Sequence, residues 1–254
     1  MEISIIIPSF LRSELLKLNL LALSNQYIPY KFETIILNDG LQDDTHSVCE
    51  PYIDKLNLKY IFSGKRNLDG KLIWRTPGFA INIGVKQSFG NVIVLCCAEI
   101  FHVNNSVQLL TNVYETNRSD KIVAIPKAKD DNGRFLKHLM ETGGDYNIEE
   151  YNKQPPLDNV KFPFFVAMKK KEFVDIGGYD EDFIGTDFDD TDFVRRLIQN
   201  GCSYAETDAK IIHLWHPRLP MTHDRKIRYD YNKKLYSERE NIIIRNVGKD
   251  WGVL

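Results

Sequence analysis

Apolar positions in the first half of the chain fall into short continuous runs that alternate with stretches of helical spacing. The runs are rich in Val, Ile and Leu and predict strands at 3–7, 33–37, 58–62, 91–97 and 121–126. The stretches between them predict helices at 13–26, 43–56, 77–89 and 105–116. Continuous apolar strands separated by helices are typical of a parallel sheet with helices on both faces. The expected fold class is therefore α/β, with a single, Rossmann-like, mostly parallel central sheet.

The second half of the chain is less regular. Residues 127–160 are polar and contain several Gly and Pro, so we expect a long, partly irregular excursion there. The pattern then predicts a strand, a short helix and a Gly-Gly turn within 162–183, a helix at 190–200, strands near 202–206 and 209–213, and a charged, mostly helical extension at 217–254.

Composition narrows the class of protein. The 254 residues are 27% charged and 43% apolar, and the formal net charge of −2 argues against nucleic-acid binding through bulk charge. Met1-Glu2 leads directly into an apolar run that Pro8 ends, which is not a signal peptide, and no apolar stretch approaches the ~20 residues that cross a bilayer. Four cysteines without CxxC spacing indicate reduced thiols. We expect a cytoplasmic protein, with membrane association at most peripheral.

Polar and aromatic residues follow the predicted strands at their carboxyl ends, where parallel α/β sheets bind ligands. They are Pro8, Phe10 and Arg12 after the first strand, Asp39 after the second, Cys97 and Glu99 after the fourth, and His213, Trp215 and His216 after the last. Neither GxGxxG nor GxxxxGK[ST] is present, which argues against a dehydrogenase or a P-loop enzyme. The sequence thus predicts a small-molecule site of another kind at this edge of the sheet.

A cluster of carboxylates precedes the helix predicted at 190–200. The stretch "IGTDFDDTDFVRRLIQNG" places four aspartates between 187 and 192. Helix capping is one interpretation, since each acid near a helix start contributes about 0.3–1 kcal/mol. One or two acids would suffice for capping, so the surplus suggests a second role. Asp192 is expected only to support the helix.

Four segments together resemble the inverting, GT-A-fold glycosyltransferases of the large family 2 type. They are "SIIIPSFLR", "ETIILNDG", "RTPGFAINIGVKQSFGNVIVLCCAEI" and "GGYDEDFIGTDFDDTDFVRRLIQNG", the last of which is similar to galactosyl- and N-acetylgalactosaminyltransferase-like members. The resemblance covers about residues 3–215. It implies a GT-A domain at 1–216, with a nucleotide-sugar-binding half at 1–126 and an acceptor and catalytic half at 127–216. The extension at 217–254 lies outside it.

The resemblance implies that a hexose moves to an acceptor hydroxyl by a single displacement with inversion. Asp190 lies at the position of the catalytic base and Asp189 at that of an acceptor-contacting acid. A positioned base contributes roughly 10²–10⁴-fold, and a neighbouring negative charge raises its pKa towards the working range. The acceptor would be a carbohydrate or glycoconjugate. The residues expected to contact it are Gly178, Tyr179, Asp180 and Trp215, although Trp215 could instead cover the core.

The same resemblance assigns a nucleotide-sugar donor. The residues expected to bind it are Pro8, Phe10, Arg12, Asp39, Arg75, Asn82 and Cys97, although Asn82 could instead be structural. A carboxylate at position 39 can accept a hydrogen bond from N3–H of uracil but not from cytosine, which points to a UDP-sugar. The alternative for Asp39 is an ordinary Asn-Asp-Gly turn.

A divalent cation, Mn²⁺ or Mg²⁺, is the cofactor that the resemblance implies, because it neutralises the departing diphosphate. The family's D-x-D motif is replaced here by Cys97-Ala98-Glu99, and Glu99 stands where the metal-binding Asp would be. His213 is the expected second ligand, ahead of His216. Two other functions stay open at this point: a sugar-nucleotide pyrophosphorylase or nucleotidyltransferase, and an inactive nucleotide-sugar-binding module.

Overall fold

The computed structural model describes residues 1–64, 75–116, 121–218 and 220–254. Its strands are β1 (Glu2–Ser9), β2 (Lys31–Asn38), β3 (Leu58–Phe62), β4 (Val92–Cys96), β5 (Ile100–His102), β6 (Ile122–Asp130), β7 (Phe165–Lys169) and β8 (Ser203–His213). Its helices are α1 (Ser13–Ser24), α2 (Thr45–Cys49), α3 (Pro77–Gln87), α4 (Ser106–Thr111), α5 (Val113–Thr116), α6 (Arg134–Thr142), α7 (Ile148–Lys153), α8 (Lys170–Asp175), α9 (Asp189–Gln199) and α10 (His223–Glu238).

The described strands form one sheet in the order β3-β2-β1-β4-β7-β6-β8-β5. Parallel pairs join β1 to β2, β1 to β4, β2 to β3 and β6 to β8. Antiparallel pairs join β7 to β4, β7 to β6 and β5 to β8. Parallel pairing predominates, and the prediction of an α/β fold with a mostly parallel central sheet is confirmed.

Both faces of the sheet are covered, which explains why its central strands are continuously apolar. On β1, Ile3, Ile5 and Ile7 pack in one core cluster with leucines of α1. Ile6 points the other way and packs with apolar residues of α3 in a second cluster. Because side chains alternate along a strand, only a strand buried on both sides needs an unbroken apolar run.

The structure differs from the prediction at the last strand of the sheet and at the helix α2. The strands expected near 202–206 and 209–213 are the single strand β8, whose register against β6 shifts between Ile125 and Lys127. Its middle is polar and partly exposed, so the apolar pattern is interrupted although the strand is not. The helix expected at 43–56 is α2 followed by a 3-10 turn at Glu50–Tyr52, since Pro51 has no amide hydrogen to continue an α-helix.

The predicted excursion at 127–160 is more regular than its composition suggests. Strand β6 runs on to Asp130, and helices α6 and α7 follow. Phe135 and Leu139 of α6 join Phe101 and Ile212 in a third core cluster. The segment is therefore a small helical layer over β5 and β8, and not a loop.

The C-terminal extension contributes one long helix in its described part, α10, and then continues without regular structure from 239 to 254, so it is less helical than predicted. None of the described helices has the combination of length and apolar character that a membrane span requires. All four cysteines are free thiols.

The topology brings chemically useful residues to one edge. Strands β1, β2, β3, β4, β6 and β8 all end there, while the antiparallel strands β5 and β7 begin there. We call this side the carboxyl edge. The loops after β1, β2 and β4 and the residues after β8 consequently lie together, as the sequence predicts.

Helix α3 lies close to the sheet at Gly84. A β-carbon there would come within 2.5 Å of Ile6 Cγ2 and 2.7 Å of Leu37 Cδ1. We expect Gly84→Ala to lower the free energy of unfolding, measured by urea denaturation. Overpacking costs about 1–3 kcal/mol, which outweighs the ~1 kcal/mol that Ala contributes as a better helix former. Gln87→Ala, exposed on the same helix, is the control and should change stability by less than about 0.5 kcal/mol. A more stable Gly84→Ala protein would contradict this packing.

Candidate active site

The loops after β1 and β2 meet at the carboxyl edge. Phe10 lies directly over the turn at Gly40, where a β-carbon would come within 1.9 Å of its ring. Asp39 in the same turn is only 2% exposed and accepts a hydrogen bond from the Ser63 hydroxyl. Pro8 is near the end of β1 and is half-buried. The predicted base-binding residues are thus neighbours, with an aromatic ring beside a carboxylate.

Arg75 connects this region to the acid-rich segment. Its Nε lies 3.6 Å from Asp39 Oδ2, and its guanidinium is 4.1 Å from the centre of the Phe79 ring at the start of α3. Its backbone forms an antiparallel bridge with Ile184. Arg75 therefore joins the turn after β2 to the segment that carries Asp189 and Asp190.

A second group of polar side chains surrounds Glu99. Arg12 Nε is 2.8 Å from Glu99 Oε1, and another guanidinium nitrogen of Arg12 is 3.3 Å from His216 Nδ1. The His213 and His216 rings are 5.3 Å apart, and His213 Nδ1 is 3.0 Å from Asp130 Oδ1. Burial lowers the pKa of His216 and so favours the neutral imidazole, which is the form that binds metals.

Glu99 and the two histidines offer oxygen and nitrogen ligands to a cation. Within the described ranges, no group of three or more His, Cys, Asp or Glu side chains is arranged to hold a metal ion. One carboxylate and one or two imidazoles nevertheless suit Mn²⁺ or Mg²⁺ when diphosphate oxygens and waters complete the coordination shell. The residues present fit a metal that binds together with its substrate.

Cys97 directly follows β4 and precedes Glu99 by two residues. Burial raises the pKa of its thiol well above the usual value, and the negative charges of Glu99 and Asp190 raise it further. The thiol is consequently protonated at neutral pH and a poor metal ligand. The charges of both Glu99 and Asp190 act on the Cys97 thiol, so both carboxylates lie on this side of the sheet.

Asp189 and Asp190 form the first turn of α9 and are electrostatically distinct. Asp190 keeps part of its surface in solvent, yet its surroundings are closed enough for burial to raise its pKa to about 6. The Tyr179 hydroxyl donates a 3.0 Å hydrogen bond to Asp190 Oδ1 and partly opposes that shift. Burial and the charge of Asp190 raise the pKa of Asp189 well above the normal range. One acid of the pair is thus suited to accept a proton and the other to retain one.

Asp192, one turn further along α9, has a different environment. It is fully buried, and its carboxylate is bound by Arg195 at 2.9 Å, Arg196 at 2.6 Å and Arg245 at 2.8 Å. This carboxylate stabilises the packing of α9, in agreement with the supporting role expected from the sequence.

Asn82 does not line the carboxyl edge, which corrects its predicted contact with the donor. Its side chain is fully buried in α3. The amide donates to the Tyr179 carbonyl and to Glu181 Oε1, both at 2.9 Å, and it accepts from the Tyr179 amide at 2.8 Å. Every polar atom of Asn82 is occupied in holding the turn that carries Tyr179.

Three of the four predicted acceptor contacts are also corrected. Asp180 is 2% exposed and is bound by Arg239 at 2.6 Å and Arg245 at 2.9 Å. Tyr179 is buried against Phe193, with ring centres 4.3 Å apart, and only its hydroxyl reaches Asp190. Gly178 is buried with φ +66°, close to Asn82 and Trp251.

Trp215 differs from these three residues. It is 48% exposed and lies at the carboxyl edge, with its ring beside Gly133. It is therefore the predicted acceptor residue that a ligand can reach directly.

A family comparison decides the class of the protein. The model of glycosyl transferase family 2 matches residues 4–177, and that of the N-terminal domain of galactosyltransferase matches residues 160–218. The chain belongs to glycosyl transferase family 2. It is therefore a transferase, and the pyrophosphorylase alternative is set aside.

Known relatives of this glycosyltransferase agree with the fold. Chondroitin synthase of Pasteurella multocida (strain Pm70) is 24% identical over 96% of this chain and 28% of its own length. Staphylococcus aureus TarS 1-349 in complex with UDP-GlcNAc has a TM-score of 0.63 at 19% identity, covering 98% of this chain and 70% of that one. The mannosyltransferase PcManGT from Pyrobaculum calidifontis, in complex with GDP-Man and Mn²⁺, has a TM-score of 0.58 at 15% identity, covering 89% and 60%. These likenesses confirm the GT-A fold.

The chain spans only about a quarter to a third of the length of the synthases it matches. The products of those synthases are consequently properties of the relatives and are not assigned to this chain.

The C-terminal segment of the glycosyltransferase contacts the acid-rich segment through residues that were not predicted from the sequence. Arg239 and Arg245 bind Asp180, and Asn232 and Asn246 bind backbone groups between 177 and 187. A signal was present, because a buried surplus of acids requires cations, and the tail is rich in arginine.

The corrected role of Asp180 gives a stability prediction. Asp180→Asn removes the buried carboxylate that Arg239 and Arg245 share and leaves each guanidinium with one other carboxylate. We therefore expect the free energy of unfolding to fall by about 3 kcal/mol, the low end of the range for breaking a buried ion pair. The matched control is Asp182→Asn, since Asp182 is 31% exposed and pairs with Arg239 and Lys249. It should cost about 1 kcal/mol or less. Chemical denaturation measures both variants, and equal losses would contradict the buried role of Asp180.

Proposed function

We propose that this glycosyltransferase moves a hexose from a UDP-sugar to a hydroxyl of a carbohydrate or glycoconjugate acceptor, with inversion at the anomeric carbon. The acceptor oxygen forms the new bond on one face of the sugar, and the bond to the diphosphate breaks on the other. Asp190 takes the hydroxyl proton, and the negative charge leaves on the nucleoside diphosphate. The observation that carries the proposal is that Arg75 joins the turn of Asp39 to the segment of Asp190: its Nε lies 3.6 Å from Asp39 Oδ2, and its backbone pairs with Ile184.

The pKa of about 6 suits Asp190 to the role of general base. At pH 7 most of it is ionised, and it remains more basic than an ordinary aspartate. The Tyr179 hydroxyl fixes its orientation from the buried side. Asp189, which is buried beside Asp190 and also has a raised pKa, would hold a proton and donate a hydrogen bond to the acceptor.

The donor would lie along the carboxyl edge. Asp39 accepts the N3–H of uracil, with the ring of Phe10 and Pro8 beside the base. Arg75 and Arg12 supply positive charge for the diphosphate, and such charge-assisted hydrogen bonds are stronger than neutral ones. A structural neighbour that binds UDP-GlcNAc supports a uridine nucleotide in this arrangement.

Glu99 and His213 would hold a divalent cation, with His216 beside them. When bound, such a cation neutralises the charge that develops on the leaving diphosphate. A structural neighbour in complex with Mn²⁺ and a nucleotide-sugar supports this part of the proposal. Cys97 takes no part in it because its thiol is protonated.

Substitution of the base should separate chemistry from binding. We expect Asp190→Asn to lower the rate of UDP-sugar turnover by at least about 10²-fold, because a general base contributes roughly that much or more. Affinity for UDP, measured by calorimetry, should not change. In the unsubstituted protein the rate should fall about tenfold per pH unit below about 6, since protonated Asp190 cannot accept the proton. Asp54→Asn, an exposed aspartate away from the edge, is the control. Full activity of Asp190→Asn would exclude Asp190 as the base.

Metal dependence tests the role of Glu99. We expect turnover to be lost in a chelator and restored by Mn²⁺ or Mg²⁺. Glu99→Gln should raise the metal concentration for half-maximal turnover by about tenfold or more, because a neutral amide binds a hard cation more weakly than a carboxylate does. Glu14→Gln, an exposed acid on α1, should leave that concentration unchanged. Undiminished turnover in the chelator would contradict the metal site.

A further inference from the structure

The backbone just before the candidate base has an unusual conformation. Asp187 has φ +78° and Phe188 has φ +72°, so two consecutive non-glycine residues are left-handed. A non-glycine residue in this conformation is strained and persists only where its surroundings enforce it. Helix α9 begins at the next residue, Asp189. The direction in which Asp189 and Asp190 leave the turn therefore depends on a conformation that the local sequence does not favour.

Helix α10 supplies the hydrogen bonds that hold this turn. Asn232 is fully buried, and its amide nitrogen donates to the carbonyls of Ile184 at 2.7 Å and of Thr186 and Asp187 at 3.0 Å. Its side-chain oxygen accepts from the Ile184 amide at 3.0 Å. One side chain thus binds four backbone groups within four residues, and none of those groups belongs to a helix or strand.

Further contacts from α10 fix the two left-handed residues themselves. The Arg225 guanidinium lies 3.2 Å from both carboxylate oxygens of Asp187. Phe188 packs between Tyr229 and Tyr236, at 5.1 and 5.5 Å between ring centres. Arg228 lies so close to Gly185 that a β-carbon there would meet its side chain at 2.8 Å. The helix therefore contacts the turn from Gly185 to Phe188 along its length.

We propose that α10 is the support that holds the 184–188 turn in its strained conformation and thereby sets the position of Asp190. Asn232 and Arg225 are its positioning residues, because they bind the turn and act on Asp190 through it. The proposal rests on the proposed role of Asp190 as base. A displacement of about 1 Å can cost 10²-fold in rate, so a small relaxation of the turn has a large effect on turnover.

Hydrogen exchange tests the support without reference to activity. In Asn232→Ala and Arg225→Gln, we expect amides of residues 184–190 to exchange at least about tenfold faster, while amides of β1 and β4 keep their rates. Lys233→Ala, an exposed neighbour on α10, is the matched control and should leave both regions unchanged. If Asn232→Ala fails to fold, the exchange rates of Arg225→Gln test the proposal, because Arg225 is only half-buried and its loss disturbs the fold less. Unchanged exchange at 184–190 in the folded variants overturns the proposal.

Kinetics distinguish positioning from general support of the fold. With UDP-N-acetylglucosamine as the probe donor, both variants should lose about ten- to a hundredfold in kcat while UDP affinity holds, and the low-pH limit of the rate should move away from about 6. Arg225→Lys should recover part of the rate. If Asn232→Ala and Arg225→Gln keep the full kcat and an unshifted pH profile while Asp190→Asn is inactive, this proposal is overturned and the proposed function still stands. If the unsubstituted protein turns over no UDP-sugar, the proposed function fails, and the exchange result still decides whether α10 holds the turn.

Discussion

The structure depends on how a cluster of buried carboxylates is balanced by charge. Removing a carboxylate from water is costly unless a cation or a set of hydrogen-bond donors replaces the water. Asp180 and Asp192 each pair with at least two arginines inside the fold. Asp189 and Asp190 have no comparable partner in the described contacts, and burial raises the pKa of both. The placement of the arginines therefore separates acids that hold the fold from acids that can exchange protons.

This division links two parts of the chain that are distant in sequence. Arg245 bonds to both Asp180 and Asp192, so one guanidinium ties the turn after α8 to the helix that carries Asp190. Arg245 thus lies 53 positions downstream of Asp192, the carboxylate that it binds on the helix of the candidate base. A chain shortened before α10 would lose Arg239 and Arg245, which both bind Asp180, and would leave Asp192 with Arg195 and Arg196.

Much of the sheet could be predicted from the sequence because its central strands are buried on both faces. The isoleucine run of β1 has no other simple explanation, and Glu99 follows β4 at the edge where parallel strands end. The sequence predicts two strands where the structure has the single strand β8, because the middle of β8 is polar and partly exposed. The hydrogen bonds that continue the strand through its middle cannot be read from the pattern of apolar residues. The expectation that Asp190 is the catalytic base comes from a sequence motif, because the burial that raises its pKa is visible only in the structure.

Other residues could not be assigned because their roles depend on contacts between distant segments. Asn82 and Asp180 are polar residues in segments that resemble family motifs, and nothing in their neighbourhood indicates that both are fully occupied inside the core. Asn232 lies on a charged, exposed helix, where one buried amide does not alter the pattern. A buried polar residue is recognised only when its partner is known, and the partner is a matter of tertiary structure.

The ion pair between Arg12 and Glu99 has a consequence for how substrates arrive. All three guanidinium nitrogens of Arg12 are engaged, by Glu99, by the Leu11 carbonyl and by His216. A diphosphate that drew this guanidinium away from Glu99 would free the carboxylate for a cation. Donor and cation binding would therefore replace the Arg12–Glu99 ion pair by two new ones, diphosphate with Arg12 and cation with Glu99. The measured affinity of each ligand would include the free energy of breaking the original pair, and binding of one ligand would favour binding of the other.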